Sequence, residues 1–235
     1  MLQSLKNVVG DDHVKKRIGC FHAHHSNIEH IQKALSLYDV ELVHFVDPGL
    51  DRIKADRDYN ATIIQKKVND TLAWISRCHV DVILITCTFF TANMSDKDAS
   101  YSIPIIKIDV PLFYAICENE HPQILTFTNP HTVQGTMEQL KSFADRQNKS
   151  IHVEPYLLEN TFELIMQNRK EEYTERVASK LKQIIDEHPD KRICTAQLSM
   201  VSAAEKTYTE TGIQIGNHSK SLADYLERTL RLHCK

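Results

Sequence analysis

Two cysteines in this sequence are placed to move a proton. Cys87 ends the apolar run Asp81-Val-Ile-Leu-Ile-Thr86, Cys194 ends Lys191-Arg-Ile193, and each is followed by a threonine, Thr88 and Thr195. Read as buried strands, both runs deliver a thiol and a hydroxyl to a strand's C-terminal tip, the edge where open α/β sheets bind ligands. A thiolate on one side of an acidic carbon can remove its proton, and a thiol on the other side can return one. The reference thiol pKa of ~8.5 is close enough to neutrality for both roles. A helix starting just past the strand favours the thiolate. Thr88 and Thr195 would add donors for a carboxylate or a developing enolate. Taken singly, either cysteine is better read as a small buried hydrophobe. Two at matched positions, each followed by Thr, favour the chemical reading.

The elements around them must then come in two similar halves. Cys87 and Cys194 are 107 positions apart in a chain of 235. The same shift of 107 places Val46-Asp47-Pro48 on Val153-Glu154-Pro155, and a shift of 106 places Phe21, His25 and Ser26 on Phe127, His131 and Thr132. Each match falls at the end of a predicted strand. Asp47 and Glu154 could support the site from behind, and read at least equally as turn residues before proline. Predicted strands cover 17–21, 40–46, 81–87, 103–108, 123–128, 151–155, 191–194 and 213–215. Predicted helices follow Ser26 (with Glu29 at capping-box spacing), cover 59–78, start at Pro111 and at Asn129-Pro130, run from Asn160 to before Pro189, and cover 202–206 and 221–232. Trp74 is expected in the core, and the charged stretch 168–187 as a solvated face. Alternating strands and helices give parallel sheets covered on both faces. The expected fold is α/β: two pseudo-symmetric three-layer αβα lobes with mainly parallel four-stranded sheets and a cleft between them.

Composition narrows the functions. With 42% hydrophobic and 25% charged residues and a formal net charge of −3, nothing favours a nucleic-acid or membrane partner. No apolar run is long enough to span a bilayer, and Met1–Lys6 lacks the apolar core of a signal peptide. The expectation is a cytoplasmic protein. Six cysteines without a CxxC pair are then free thiols.

The histidine cluster allows a second class. His22 and His24 form an HxH after the first predicted strand, with His44, Asp47 and His131 available elsewhere. Such a pair suits a metal-dependent hydrolase, but no HExxH or similar spacing ties these residues together. Substrate contact by His22 or Ser26, or a plain loop, ranks higher, and no metal is expected. A third class is a non-catalytic protein on the same scaffold that senses a small carboxylate.

The two Cys-Thr strand ends, the stretch Thr128-Asn129-Pro130-His131-Thr132-Val133 and Val46-Asp47-Pro48-Gly49-Leu50 resemble the aspartate/glutamate/hydantoin racemase superfamily. The resemblance implies a cofactor-independent racemase, or a related isomerase or decarboxylase, acting at the acidic α-carbon of an amino acid or small carboxylate. It implies Cys87 and Cys194 as acid and base, with His22, Ser26, Thr88, Thr128, Asn129, Thr132 and Thr195 around the substrate. A homodimer is common in that superfamily. Its last strand and helix return to the first lobe, which implies lobes of 1–117 plus 208–235 and of 118–207. The chain departs from the amino-acid racemase pattern in four places. His22-Ala23-His24-His25-Ser26 stands for Asp-Ser, Cys87-Thr88-Phe89 for Cys-Asn-Thr, Cys194-Thr195-Ala196 for Cys-Thr-His, and Thr128-Asn129 for Gly-Thr.

Overall fold

A computed structural model describes residues 15–53, 60–92, 94 and 101–235. The N-terminal stretch read for a signal peptide, the predicted helix start at Tyr59 and most of the 93–100 loop lie outside the described residues.

The first sheet holds β1 (Lys16–His22), β2 (Val40–Val46), β3 (Val82–Ile85) and β4 (Ile105–Lys107), in the order β2-β1-β3-β4, all parallel. The second holds β5 (Gln123–Phe127), β6 (Val153–Leu157) and β7 (Arg192–Thr195), in the order β6-β5-β7, also parallel. The expected strand at 213–215 does not form. A single parallel bridge from Gly216 to Cys194 takes its place, so the second sheet has three strands where four were expected.

Helices cover both faces because the central strands are apolar on both sides. All four β3 side chains, Val82 to Ile85, are fully buried. Strand alternation sends Ile18, Val82 and Leu84 to one face, against Ile31 of α1 (Ser26–Ala34). Phe21, Ile83 and Ile85 go to the other, against Ile64, Val68, Leu72 and Ile75 of α3 (Ala61–Ile75). Two short helices, α2 (Pro48–Ile53) and α4 (Thr88–Ala92), lead out of β2 and β3. Gly19 marks the close approach of β1 to α3: an added Cβ would lie 2.9 Å from Ile75 Cγ2. Trp74, expected in the core, is 63% exposed on the outer side of α3.

In the second lobe, Ile124 and Ile193 pack against α8 (Lys170–Glu187) and α9 (Val201–Thr211). Leu125, Phe127 and Cys194 pack against α5 (Asp109–Cys117) and α6 (Val133–Arg146). The long charged helix expected from Asn160 is broken into α7 (Phe162–Met166) and α8, with Asn168 between them at φ 58°, a left-handed conformation that Asn tolerates. The chain leaves the second sheet after Gly216 and forms α10 (His218–Leu230), whose Leu222 and Leu226 join the first lobe's core. The expected return at residue 208 falls inside α9. Ile215 still packs with the second lobe, so the crossover comes later.

Candidate functional site

The expected site residues sit differently in the two sheets. Cys87 lies two residues past β3, half-buried, with its carbonyl accepting from Thr91 N (3.2 Å). Thr88 beside it is exposed. On the neighbouring strand, Lys107 is the register partner of Ile85, and Ile108 N donates to Ile85 O (2.9 Å). Asp109 therefore leaves β4 at the height at which Cys87 leaves β3, on strands spaced about 5 Å apart.

Cys194 is placed differently. It lies within β7, paired with Leu125, and is 7% exposed in the core between β7 and α6. Its Sγ reaches back to Gln123 Oε1 (3.8 Å), at the first residue of β5 and away from the C-terminal edge. Burial pushes this thiol up to about 12, against weaker opposing effects from Arg192 and the Gly216 backbone. Gly216 leaves it room: a Cβ there would lie 2.5 Å from the sulfur.

The hydrogen-bond register explains the difference. Thr86 N donates to Phe21 O in the first sheet, and Ala196 N donates to Thr126 O in the second. Thr86 thus corresponds to Ala196, Cys87 to Gln197, and Cys194 to Leu84. The structural offset on these strands is 110, three more than the shift that aligns the two cysteines. On the preceding strands Asp47 N donates to His22 O and Leu158 N to Phe127 O, so Asp47 corresponds to Leu158. Glu154 lies inside β6, exposed, pairing with Lys191 (2.7 Å). The Asp47 carboxylate instead closes the turn into α2, accepting from Gly49 N (3.0 Å).

Gln197, which the sequence reading passed over, holds the second lobe's edge together. Its Oε1 accepts from Thr128 N (2.7 Å), Thr128 Oγ1 (2.8 Å) and Asn129 N (3.1 Å). Thr128 is buried and also meets Tyr173 OH (3.1 Å), which in turn meets Ser199 Oγ (3.1 Å). Asn129 Oδ1 caps the following turn at His131 N (3.0 Å), with Pro130 at its first position, as the sequence suggested. Thr132 Oγ1 donates to Asn129 O (3.0 Å). Thr195 is fully buried, its N and Oγ1 both donating to Gly216 O.

His22 is fully buried. Nδ1 lies 2.8 Å from Thr86 Oγ1 and Nε2 lies 2.9 Å from His44 Nδ1. Thr86 Oγ1 donates to Phe21 O and accepts from Asn27 Nδ2 (3.2 Å). This pattern assigns the His22 proton to Nδ1 and leaves Nε2 to accept from His44. Burial, with a smaller effect from His44, pushes His22 down to about 4, so its ring is neutral near pH 7. His24 instead turns to Ser26 Oγ (2.8 Å) and lies against His25. The HxH pair does not converge. The α1 cap is His25, without a side-chain cap bond, where Ser26 was expected. Among the described residues, one group could hold a metal ion: Cys20, His22 and His44, with ligand atoms within 4.8 Å of one another. Both His22 nitrogens already serve in hydrogen bonds there.

A second polar pair lies at the start of α10. His218 Nε2 is 3.1 Å from Asp109 Oδ1, both residues buried. His218 Nδ1 and Ser219 Oγ are buried without a hydrogen-bond partner. An unpaired buried polar atom costs about 1–3 kcal/mol; His44 Nε2 beside His22 is in the same condition. The sequence signal was faint: Asp109 read only as a helix start, and His218 as one of 13 histidines.

In sequence, the chain matches no protein-family model and no curated protein. In structure it is similar to the aspartate racemase of Picrophilus torridus, with TM-score 0.67, 15% identity, 94% of this chain and 96% of that one covered. It is also similar to allantoin racemase from Pseudomonas fluorescens, with TM-score 0.62, 13% identity, and 92% and 91% covered. Glutamate racemase from Campylobacter jejuni subsp. jejuni gives TM-score 0.62, 13% identity, and 93% and 88% covered. The chain has the racemase fold, with the two parallel sheets and flanking helices expected from its sequence. No helix among the described residues is long and apolar enough to cross a membrane.

Proposed function

We propose that this chain is a cofactor-independent racemase or isomerase that transfers a proton at the acidic carbon of a small carboxylate or amino acid, with Cys87 as a proton-transfer group. The carrying observation is the position of Cys87: half-buried just past the C-terminal tip of a central strand, level with Asp109 just past the next strand. The fold's solved relatives, racemases of aspartate, glutamate and allantoin, support the reaction class. A general acid or base of this kind contributes about 10²–10⁴-fold.

The binding side is proposed around Thr88, Ser26, Asn129 and Thr132, which are exposed or half-buried near the strand ends. His22 and Thr195 are fully buried with their polar atoms engaged, and they shape the site from behind. Cys194 supports the core of the second lobe and exchanges no proton with substrate. This reading has one thiol in the chemistry where the sequence suggested two. A homodimer, suggested by the family resemblance, and a cytoplasmic location, suggested by the sequence composition, fit the proposal.

The test is proton exchange at carbon in deuterated water across amino acids, hydantoins and small dicarboxylates. Deuterium should enter one substrate class with the wild-type chain, and with Cys87→Ala it should fail to enter the enantiomer whose proton Cys87 removes. Equal exchange by both proteins would defeat the proposal.

A further inference from the structure

We propose that His218, held by Asp109, is the second proton-transfer group of the site, serving through Nδ1 the face of the carbon opposite Cys87. The proposal rests on the Cys87 reading above.

Three observations carry it. The first is placement. Asp109 leaves β4 level with Cys87 on β3, and His218 follows Gly216 by two residues, the point where the chain leaves the second sheet. The His218–Asp109 hydrogen bond of 3.1 Å therefore joins a residue arriving from the second lobe to the tip of the first lobe that carries Cys87. The second is an unmet need. His218 is 2% exposed and its Nδ1 has no partner, and Ser219 Oγ beside it has none either. A bound polar molecule would satisfy both atoms. The third is substitution. The second-lobe position corresponding to Cys87 holds Gln197, which cannot titrate and whose Oε1 is taken up by Thr128 and Asn129.

Asp109 determines which nitrogen works. Accepting from Nε2–H, it leaves Nδ1 to exchange the proton and stabilises the imidazolium. The other titratable groups on the α5–α10 seam sit elsewhere: Tyr114 stacks on Tyr225 (5.4 Å), and Glu118 pairs with Arg228 at the exposed end. Lys220 on the first turn of α10 pairs with Asp224. In one direction the Cys87 thiolate takes the carbon-bound proton. The C–H bond breaks, its electron pair enters the enolate, and an S–H bond forms. The His218 imidazolium then gives its Nδ1 proton to the opposite face, forming the new C–H bond and keeping the N–H electron pair on nitrogen. The chain ends as thiol and neutral imidazole, the form that starts the reverse reaction, and proton exchange with water resets it.

The test uses the full chain with His218→Gln and Asp109→Asn, checked by thermal melts. The pH profile of Cys87 alkylation by iodoacetamide, followed by mass spectrometry, should change between the wild type and His218→Gln. An unchanged profile overturns the proposal. With an exchanging substrate, His218→Gln should keep deuterium exchange from one enantiomer within a few-fold while inversion falls at least ~100-fold. Equal loss of exchange and inversion in a normally melting variant overturns it. If His218→Gln does not fold, Asp109→Asn carries both readouts, with a changed alkylation profile and slowed inversion expected. Absence of exchange in every substrate, with the alkylation profile still responding to His218, would instead refute proton transfer at Cys87 and leave the His218 pairing standing.

Discussion

Gly216→Ala tests whether Cys194 is a structural residue, because the two positions compete for one space. A Cβ on residue 216 would meet Cys194 Sγ at 2.5 Å and Cys194 Cβ at 3.3 Å. The sulfur can be moved only by pushing a thiol that is already enclosed among Leu125, Phe127 and Ala196. Overpacking of this kind costs about 1–3 kcal/mol. For a chain of this size that lowers the melting temperature by about 2–4 °C per kcal/mol. Cys194→Ala removes the sulfur and should cost less, since the site can partly close around the small void. In the double variant the new methyl occupies space the thiol has left. The two changes should couple favourably by about 0.5–3 kcal/mol, the range for residues in contact. Urea unfolding followed by circular dichroism measures all four proteins. Additive costs would show that the thiol does not lie against residue 216, and the assignment of Cys194 to the core would fall with that result.

Three further outcomes follow from the same geometry. His22, pushed down to about 4 from 6.5, binds its proton more weakly folded than unfolded. Its contribution is fully present above pH 6.5 and is lost as pH falls towards 4, on the order of 3 kcal/mol across that window. NMR titration of the His22 ring should give a midpoint near 4, and a midpoint near 6.5 would contradict its buried, neutral assignment. Gln197→Ala leaves Thr128 N and Asn129 N unpaired and should destabilise the chain by about 1–3 kcal/mol in urea unfolding, whereas no loss would show that another acceptor serves them. Alkylation of the native chain at pH 8 should label Cys87 well ahead of Cys194, whose thiol is enclosed and raised to about 12; equal labelling would refute that contrast.

The alternation of apolar strands with capped helices was legible from residues alone. Asn129-Pro130 opened its turn as read, and Val82 to Ile85 formed the buried strand that delivers Cys87. Cys194 was misplaced because matching letters ignores register. A shift of 107 aligns two Cys-Thr pairs, but the ladders align Cys87 with Gln197, three residues further on. Strand side chains alternate with period 2, so a slip of an odd number turns the thiol to the other face and into the core. The Val-Asp-Pro and Val-Glu-Pro match also ignores register, here by an even number: Asp47 is at a strand tip, Glu154 within a strand. Gln197, Asp109 and His218 were missed because each gains its role from a partner far away in sequence. Asp109 and His218 are 109 positions apart, and only the return of α10 to the first lobe brings them together. The racemase fold was reached from the Cys-Thr pairs all the same, since the order of elements does not depend on which of the two thiols is exposed.

Deuterium incorporation at carbon, compared among wild type, Cys87→Ala and Cys194→Ala on the same substrate, is the most direct measurement. From the enantiomer whose proton Cys87 removes, exchange should fall by at least ~100-fold in Cys87→Ala and stay within a few-fold of wild type in Cys194→Ala. Full exchange in Cys87→Ala, or equal loss in a normally melting Cys194→Ala, would contradict a site built on Cys87.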